Sequence, residues 1–448
     1  MSTLSRLTRN HANHAVPPDE QVGGVRIALV IVGVAITLPA FLLGAEIIHG
    51  LGAVRGITAI FCGGLILTAT AMLTMTVGAR SKLTTYAITQ FAYGRTGARV
   101  VNLVLSITLF GWYGVTAMLF GQACQRAVLE LFAIDWPLAG FIAAGSVLMV
   151  VTTVFGFRAI EKLSRLSVPL MLAALFACIY SVLQHHSLGE LAAVPGNSDS
   201  RLSSMGMAIS AVVGTFMVGV TIVADMSRFS RRPRDSVVAA LGSYGSFSML
   251  ILVMAGIPIL VTGEKDLMRT LYEFGLGTPA LIIMIFATWT TNTSNLYSAS
   301  LSIAQALPFA RDWVITVTAG VAGTVLALSG VMVHFVDFLL LLGITVPPIA
   351  GIYMVDFFVL RRGRYQLQAL DGAPAFNIPA FIAWALAVAV AALSSKQVLV
   401  ITTIPACDAI VCAALCYLVS MRLAGRRFDA VQKSATQNNA LSVDRINR

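Results

Sequence analysis

Gly33-Val34-Ala35-Ile36-Thr37-Leu38-Pro39 lies inside the first long apolar run of the chain, Val25 to Gly50. A glycine, a threonine and a proline this close together predict an interrupted helix, because proline removes a backbone donor and clashes with the preceding turn. A second stretch, Trp289-Thr290-Thr291-Asn292-Thr293-Ser294-Asn295, puts hydroxyls and amides in the middle of the eighth apolar run, Gly277 to Leu307. Hydrocarbon cannot hydrogen-bond a free carbonyl, hydroxyl or amide. Such groups persist at membrane depth where they line a protein-enclosed cavity or hold a ligand. The two stretches together predict a small-molecule and ion site inside a helical membrane transporter.

The composition agrees. Of 448 residues, 57% are hydrophobic and 11% charged, against about 25% charged in soluble domains. Spans need about 20 apolar residues each. The chain divides into twelve: Val25–Gly50, Gly56–Val77, Gly97–Val128, Trp136–Phe157, Leu163–Leu183, Leu202–Met226, Ser236–Val261, Gly277–Leu307, Trp313–Gly330, Phe335–Leu360, Phe376–Leu393 and Val398–Met421. The fold class is therefore an all-α membrane protein. Residues 25–421 form a single twelve-helix domain between cytoplasmic tails at 1–24 and 422–448.

The net charge of +10 does not mark a nucleic-acid surface. With the N-terminus inside, 24 of the 30 Lys and Arg residues fall on the cytoplasmic side and 6 on the other. That bias places both termini in the cytoplasm. No soluble face gathers basic residues with aromatics, so nucleic acid is excluded as a partner; lipid is the expected surround. The first 24 residues are polar and hold no cleavable signal. The six cysteines all lie in apolar spans without metal spacing. The histidines fall in tails or near span ends, and no Ser/His/Asp set or phosphate loop is present. The chain does not read as an enzyme.

Spacing then selects candidate ligands. Ala287, Thr290 and Thr291 sit at i, i+3 and i+4 and share a helix face. A freed carbonyl and two hydroxyls make a neutral hard-oxygen cluster suited to Na⁺. Gly33 and Ile36, also i and i+3, face them with carbonyls released near Pro39. The competing reading has Thr290 and Thr291 bonding back to their own helix. Asn292 and Asn295 serve either as helix–helix glue or as readers of a heterocycle edge. Trp112 and Phe216 lie mid-span, away from the interfacial belts that explain most membrane aromatics. They serve either as core or as the two faces of a stacking site. Matching glycines in spans one (Gly33, Gly44) and six (Gly206, Gly214, Gly219) suit a repeat of five spans. Most intramembrane acids lie near span ends, Asp225 and Asp356 close to Arg228 and Arg361, which tilts coupling toward Na⁺ over H⁺.

Ordered motifs carry a further resemblance. They are Val77-Gly78-Ala79-Arg80 with Leu83-Thr84-Thr85; Phe110-Gly111-Trp112-Tyr113-Gly114-Val115; Ala224-Asp225 with Arg228-Phe229; Trp289-Thr290-Thr291-Asn292 with Leu296-Tyr297; and Val346-Pro347-Pro348 with Asp356-Phe357 and Arg361-Arg362. In this set the chain resembles bacterial cytosine permeases of nucleobase–cation symporter family one. The resemblance implies a five-plus-five inverted repeat with broken helices one and six, two further C-terminal helices, and alternating access around a central site. It implies a cation site at Gly33, Ile36, Ala287, Thr290 and Thr291. It implies stacking at Trp112 and Phe216, and ring reading by Asn292 with Thr37, Gly214 and Thr215 as neighbours. The expected function is import of a nucleobase, cytosine foremost, with Na⁺ across the bacterial inner membrane. Two positions depart from the family pattern. Leu109 stands where a glutamine is usual, and Thr293-Ser294-Asn295 where Asp-Asn-Ala is usual. The ring therefore stays open among cytosine, another oxopyrimidine, a purine and a hydroxymethylpyrimidine. Proton coupling through Asp225, Asp337 or Asp408 is the alternative mechanism, and a channel or sensor the alternative class.

Overall fold

Fifteen α-helices of nine residues or more organise the described part of the computed structural model, which covers residues 21–35, 37–155, 179–262, 277–306, 312–365, 373–399 and 401–424, with isolated positions between them. Span one is two helices, α1 (Gly24–Ala35) and α2 (Leu38–Leu51). Then come α3 (Ala53–Ser81), the short helix α4 (Thr85–Tyr93), α5 (Gly97–Phe132) and α6 (Leu138–Phe155). Span five lies almost wholly outside the described residues. Spans six and seven are α7 (Met205–Ile222), then α8 (Pro233–Gly242) and α9 (Ser248–Gly256) joined by a π turn at Ser243–Phe247. The rest are α10 (Gly277–Ala306), α11 (Asp312–Leu328), α12 (Phe335–Thr345), α13 (Pro347–Val355), α14 (Ile378–Ser395) and α15 (Pro405–Ala424). Among the described residues seven helices are long and apolar enough to cross a membrane, and three shorter apolar helices accompany them.

Local chemistry explains the punctuation. Thr37 is extended (φ −135°, ψ 152°) and its hydroxyl accepts from the Ala40 amide at 3.4 Å, capping α2 with Pro39 in the first turn. A proline there costs nothing, since first-turn amides have no helical partner. Spans nine and ten separate at Gly330, whose φ of 79° only glycine adopts freely. A single 3₁₀ turn, Val331–His334, then starts the next span.

Two expectations are corrected. Span six is not broken at its glycines. α7 is continuous through Gly206, Gly214 and Gly219, and the chain turns only at Val223. Those glycines serve close packing: a Cβ at Gly214 would lie on the Leu339 carbonyl oxygen of α12, and one at Gly206 on the Thr403 carbonyl oxygen. Span eight, expected to be locally distorted, is one continuous helix of 30 residues.

The core divides in two. One apolar cluster runs from spans one, two and seven through α5, α7, α12 and α13; the second lies between α5, α6, α10 and α11 around Tyr113, Phe120 and Met149. The segment before α1 is fastened down: the Val22 amide donates to the Phe229 carbonyl (2.7 Å) and the Arg231 amide to the Val22 carbonyl (3.0 Å). A buried carboxylate, Asp356, ties other distant segments together. It accepts from Arg361 Nε (2.9 Å), Tyr365 (2.8 Å) and Tyr417 of α15 (2.9 Å). Arg361 also stacks over Phe91 of α4, 5.2 Å from the ring centre.

Candidate functional site

The interruption between α1 and α2 creates the polar ends that a ligand site needs. α1 ends at Ala35, and the negative end of its dipole falls on this last turn, which includes Gly33. Ile36 lies outside the described residues. α10 packs against α2. It carries Ala287, Thr290 and Thr291, with Thr290 buried and Thr291 half-buried. The neighbouring hydroxyls are satisfied within the helix: Thr288 donates to the Met284 carbonyl, Thr293 to Trp289 (2.8 Å) and Ser294 to Thr290 (3.0 Å). Back-bonding of this kind explains how so polar a segment stays helical.

Asn292 is 0% exposed. Its Nδ2 donates to the Tyr113 carbonyl of α5 (3.2 Å) and approaches Met149 Sδ of α6 (3.1 Å). The opposite amide orientation would set oxygen against a carbonyl, so Nδ2 must face Tyr113. That leaves Oδ1 buried without a hydrogen-bond partner among the described residues. An unmade bond at a buried acceptor costs about 1–3 kcal/mol. The amide lies where α10 meets Tyr113 of α5 and Met149 of α6. Asn295, one turn further along α10, is half-buried.

Trp112 and Phe216 are both buried, each 8% exposed. They are not stacked on each other. Trp112 meets Phe335 (6.4 Å, 74°) and Phe338 (5.4 Å, 75°) of α12 edge-on. Gly111 makes room, since a Cβ there would strike the Phe338 ring. Phe216 meets Tyr244 edge-on (6.4 Å, 72°). Thr215 spends its hydroxyl on the Ala211 carbonyl (2.9 Å), and Gly214 is pressed against α12 as described. The structure therefore sets Asn292 against Tyr113 and Met149, and packs both Trp112 and the Gly214 backbone against α12. Phe335, Phe338 and Tyr244 escaped the sequence reading. The i, i+3 spacing of Phe335 and Phe338 was the available signal for the first two.

The acidic residues lie elsewhere. The Asp225 carboxylate accepts from the Thr85 amide (2.8 Å). Asp337 pairs with Arg201. Asp408 accepts from Ser394 (2.5 Å) and Thr402 (2.6 Å).

A split first span, a polar eighth span beside it and aromatics on the flanking helices define a secondary transporter of the broken-helix class. The fold is that of Mhp1, a nucleobase-cation-symport-1 family transporter. TM-scores are 0.79 to its closed conformation with bromovinylhydantoin bound and 0.82 to its inward-facing conformation, at 20% identity. The match covers 93% of this chain in both cases, and 96% and 94% of the respective Mhp1 chains. A Na⁺-coupled sialic acid symporter shares the fold more distantly, with a TM-score of 0.63 at 11% identity, covering 90% of each chain. In sequence, the cytosine permease of Escherichia coli (strain K12) is 28% identical over 383 residues, 85% of this chain and 88% of that protein. Residues 16–419 match the family described as permease for cytosine/purines, uracil, thiamine, allantoin, and the chain belongs to it. It is a multi-pass membrane protein whose relatives are transporters, not enzymes.

Proposed function

We propose that this protein imports a nucleobase-type ring, cytosine foremost, across the bacterial cytoplasmic membrane in symport with Na⁺. Both termini are cytoplasmic, and residues 25–421 act as one transport domain between its tails. The ring sits between Trp112 and Phe216. Asn292 reads its edge, with Thr37, Gly214, Thr215 and Asn295 around it. Na⁺ is held by Gly33, Ile36, Ala287, Thr290 and Thr291. One observation supports this most: the Asn292 Oδ1, fully buried in the polar eighth span, lacks a donor among the described residues. A ring N–H or amino group supplies the missing donor, and a flat ring suits an aromatic neighbour.

Cation binding at the α1 terminus draws the two halves of span one against α10 and forms the ring pocket. The two ligands then tighten each other by the same factor. One charge moving with the ring across 100 mV contributes about 2.3 kcal/mol, roughly fifty-fold accumulation. Asp225, Asp337 and Asp408, the acids of the proton-coupled alternative, accept from protein donors away from α1 and α10, which favours Na⁺ over H⁺.

The test is a thermal-shift panel of cytosine, uracil, hypoxanthine and hydantoin, each with and without Na⁺, on the purified protein. The expected result is a Na⁺-dependent shift, largest with cytosine. A shift that follows pH and ignores Na⁺ transfers the coupling to H⁺. No shift with any of these rings ends the nucleobase reading.

A further inference from the structure

Span seven contains a structural irregularity that the site described above does not use. Between α8 and α9 the backbone widens into a π turn at Ser243–Phe247, closed by the Ser248 amide bonding to the Ser243 carbonyl. Ser243 Oγ bonds the Ala239 carbonyl (2.7 Å) and Ser246 Oγ the Leu241 carbonyl (3.0 Å), so both hydroxyls brace the distortion. Isolated π turns inside α-helices concentrate at functional positions.

Its level in the membrane is fixed by packing on span one. Below it, a Cβ at Gly24 would lie on the Asp235 carbonyl oxygen, and one at Gly242 would stand 3.3 Å from the Ala28 Cβ. Above it, Gly44 is pressed on the Leu252 carbonyl, and a Cβ at Gly256 would come within 2.6 Å of the Gly44 carbonyl oxygen. The inner half of span one thus rides on α8 and the outer half on α9. The π turn stands opposite the interruption between them. The widened turn carries Tyr244, buried, with its ring edge on Phe216. Its hydroxyl extends to Gly219, one turn along α7, where a Cβ would stand 3.2 Å away and meet nothing else within 4 Å.

We propose that Tyr244 is a positioning residue for the transported ring: carried by the π turn opposite the span-one interruption, it sets the angle at which Phe216 faces the substrate. The inference rests on the reading of Phe216 as a ring-stacking residue. It adds a residue that touches Phe216 rather than the ring, and it gives the span-seven distortion a purpose. A regular helix across Ser243–Phe247 would rotate Tyr244 off Phe216 or α9 off Gly44.

The test is a set of ring affinities on the full-length purified protein. The ring used is whichever of cytosine, uracil, hypoxanthine and hydantoin binds the wild type most tightly. Tyr244→Phe keeps the ring edge and is expected to bind as wild type. Tyr244→Leu removes the edge and is expected to weaken binding about three- to tenfold, the range of an aromatic contact. On a Phe216→Ala background Tyr244→Leu is expected to change affinity by less than about twofold, because its effect passes through the missing ring. Gly219→Ala presses only on the Tyr244 hydroxyl; it is expected to weaken binding about twofold or more, and Tyr244→Phe in the same chain is expected to restore it. A general packing defect would not show that rescue. If Phe216→Ala weakens binding but Tyr244→Leu does not, or the two losses multiply, Tyr244 has no positioning role. If Phe216→Ala leaves affinity unchanged, or none of the four rings binds, the ring-site reading fails and the Tyr244 role with it.

Discussion

Replacing Asn292 with leucine separates the cost of this site from its use. In the ligand-free protein the Oδ1 acceptor is buried and unpartnered, a penalty of about 1–3 kcal/mol. The substitution removes that penalty and also the Nδ2 bond to the Tyr113 carbonyl, which contributes about 0.5–1.5 kcal/mol. Tyr113 lies within the continuous helix α5, so its carbonyl keeps its helical partner and is not orphaned. Leucine has asparagine's branching but bulkier methyl groups, and fitting them between Tyr113 and Met149 costs about 1 kcal/mol, the low end for overpacking. The balance falls within about 1.5 kcal/mol of wild type in either direction. At about 2.1 cal/mol/K per residue, a chain of 448 residues shifts roughly 1 °C in Tm per kcal/mol. Thermal unfolding of the ligand-free Asn292→Leu protein should therefore occur within about 1.5 °C of wild type. Ring affinity should fall about 10- to 100-fold, because the ring's donor loses its acceptor. Both quantities come from one instrument, scanning with and without cytosine. A ligand-free Tm lowered by more than about 2 °C, or an unchanged cytosine shift, refutes the reasoning, since the oxygen would then be bonded within the protein or remote from the ring.

Thr290→Ala and Thr291→Ala should abolish Na⁺-stimulated uptake in proteoliposomes while the protein stays folded; wild-type Na⁺ dependence in both would show that the cation lies elsewhere. Gly214→Val should destabilise the protein by about 1–3 kcal/mol by forcing α7 off the Leu339 carbonyl, and an unchanged Tm would mean that α7 and α12 do not pack so closely. Thr37→Ala should cost about 1 kcal/mol through loss of the α2 cap, with Thr37→Ser restoring it in thermal unfolding; equal Tm values for all three would remove the cap from the account. Asp356→Ala should cost about 2–3 kcal/mol, toward the low end for a buried pair because Arg361 keeps contact with water. Urea-unfolding midpoints matching wild type would contradict that figure.

Much of this architecture is written in local chemistry. The interruption of span one is legible because a proline removes a backbone donor and crowds the turn before it; the Thr37 cap appears only in the structure. Span eight misled for an equally physical reason. Ser and Thr hydroxyls at membrane depth either break a helix or bond back to it, and Thr288, Thr293 and Ser294 bond back. Composition cannot choose between those outcomes. The span-six glycines were misread in the same way, because a glycine that unwinds a helix and one that admits a neighbouring backbone look alike until the neighbour is known. The π turn at Ser243–Phe247 has no sequence mark beyond small residues around Tyr244. Its register follows from two separate contacts with span one, which only the folded chain supplies.

The Asp356 knot has a consequence for biosynthesis. Arg361 and Tyr365 follow Asp356 within nine residues, but Tyr417 comes 61 residues later, in α15. During synthesis the carboxylate therefore lacks one of its three donors until α15 has been made, so this knot closes late.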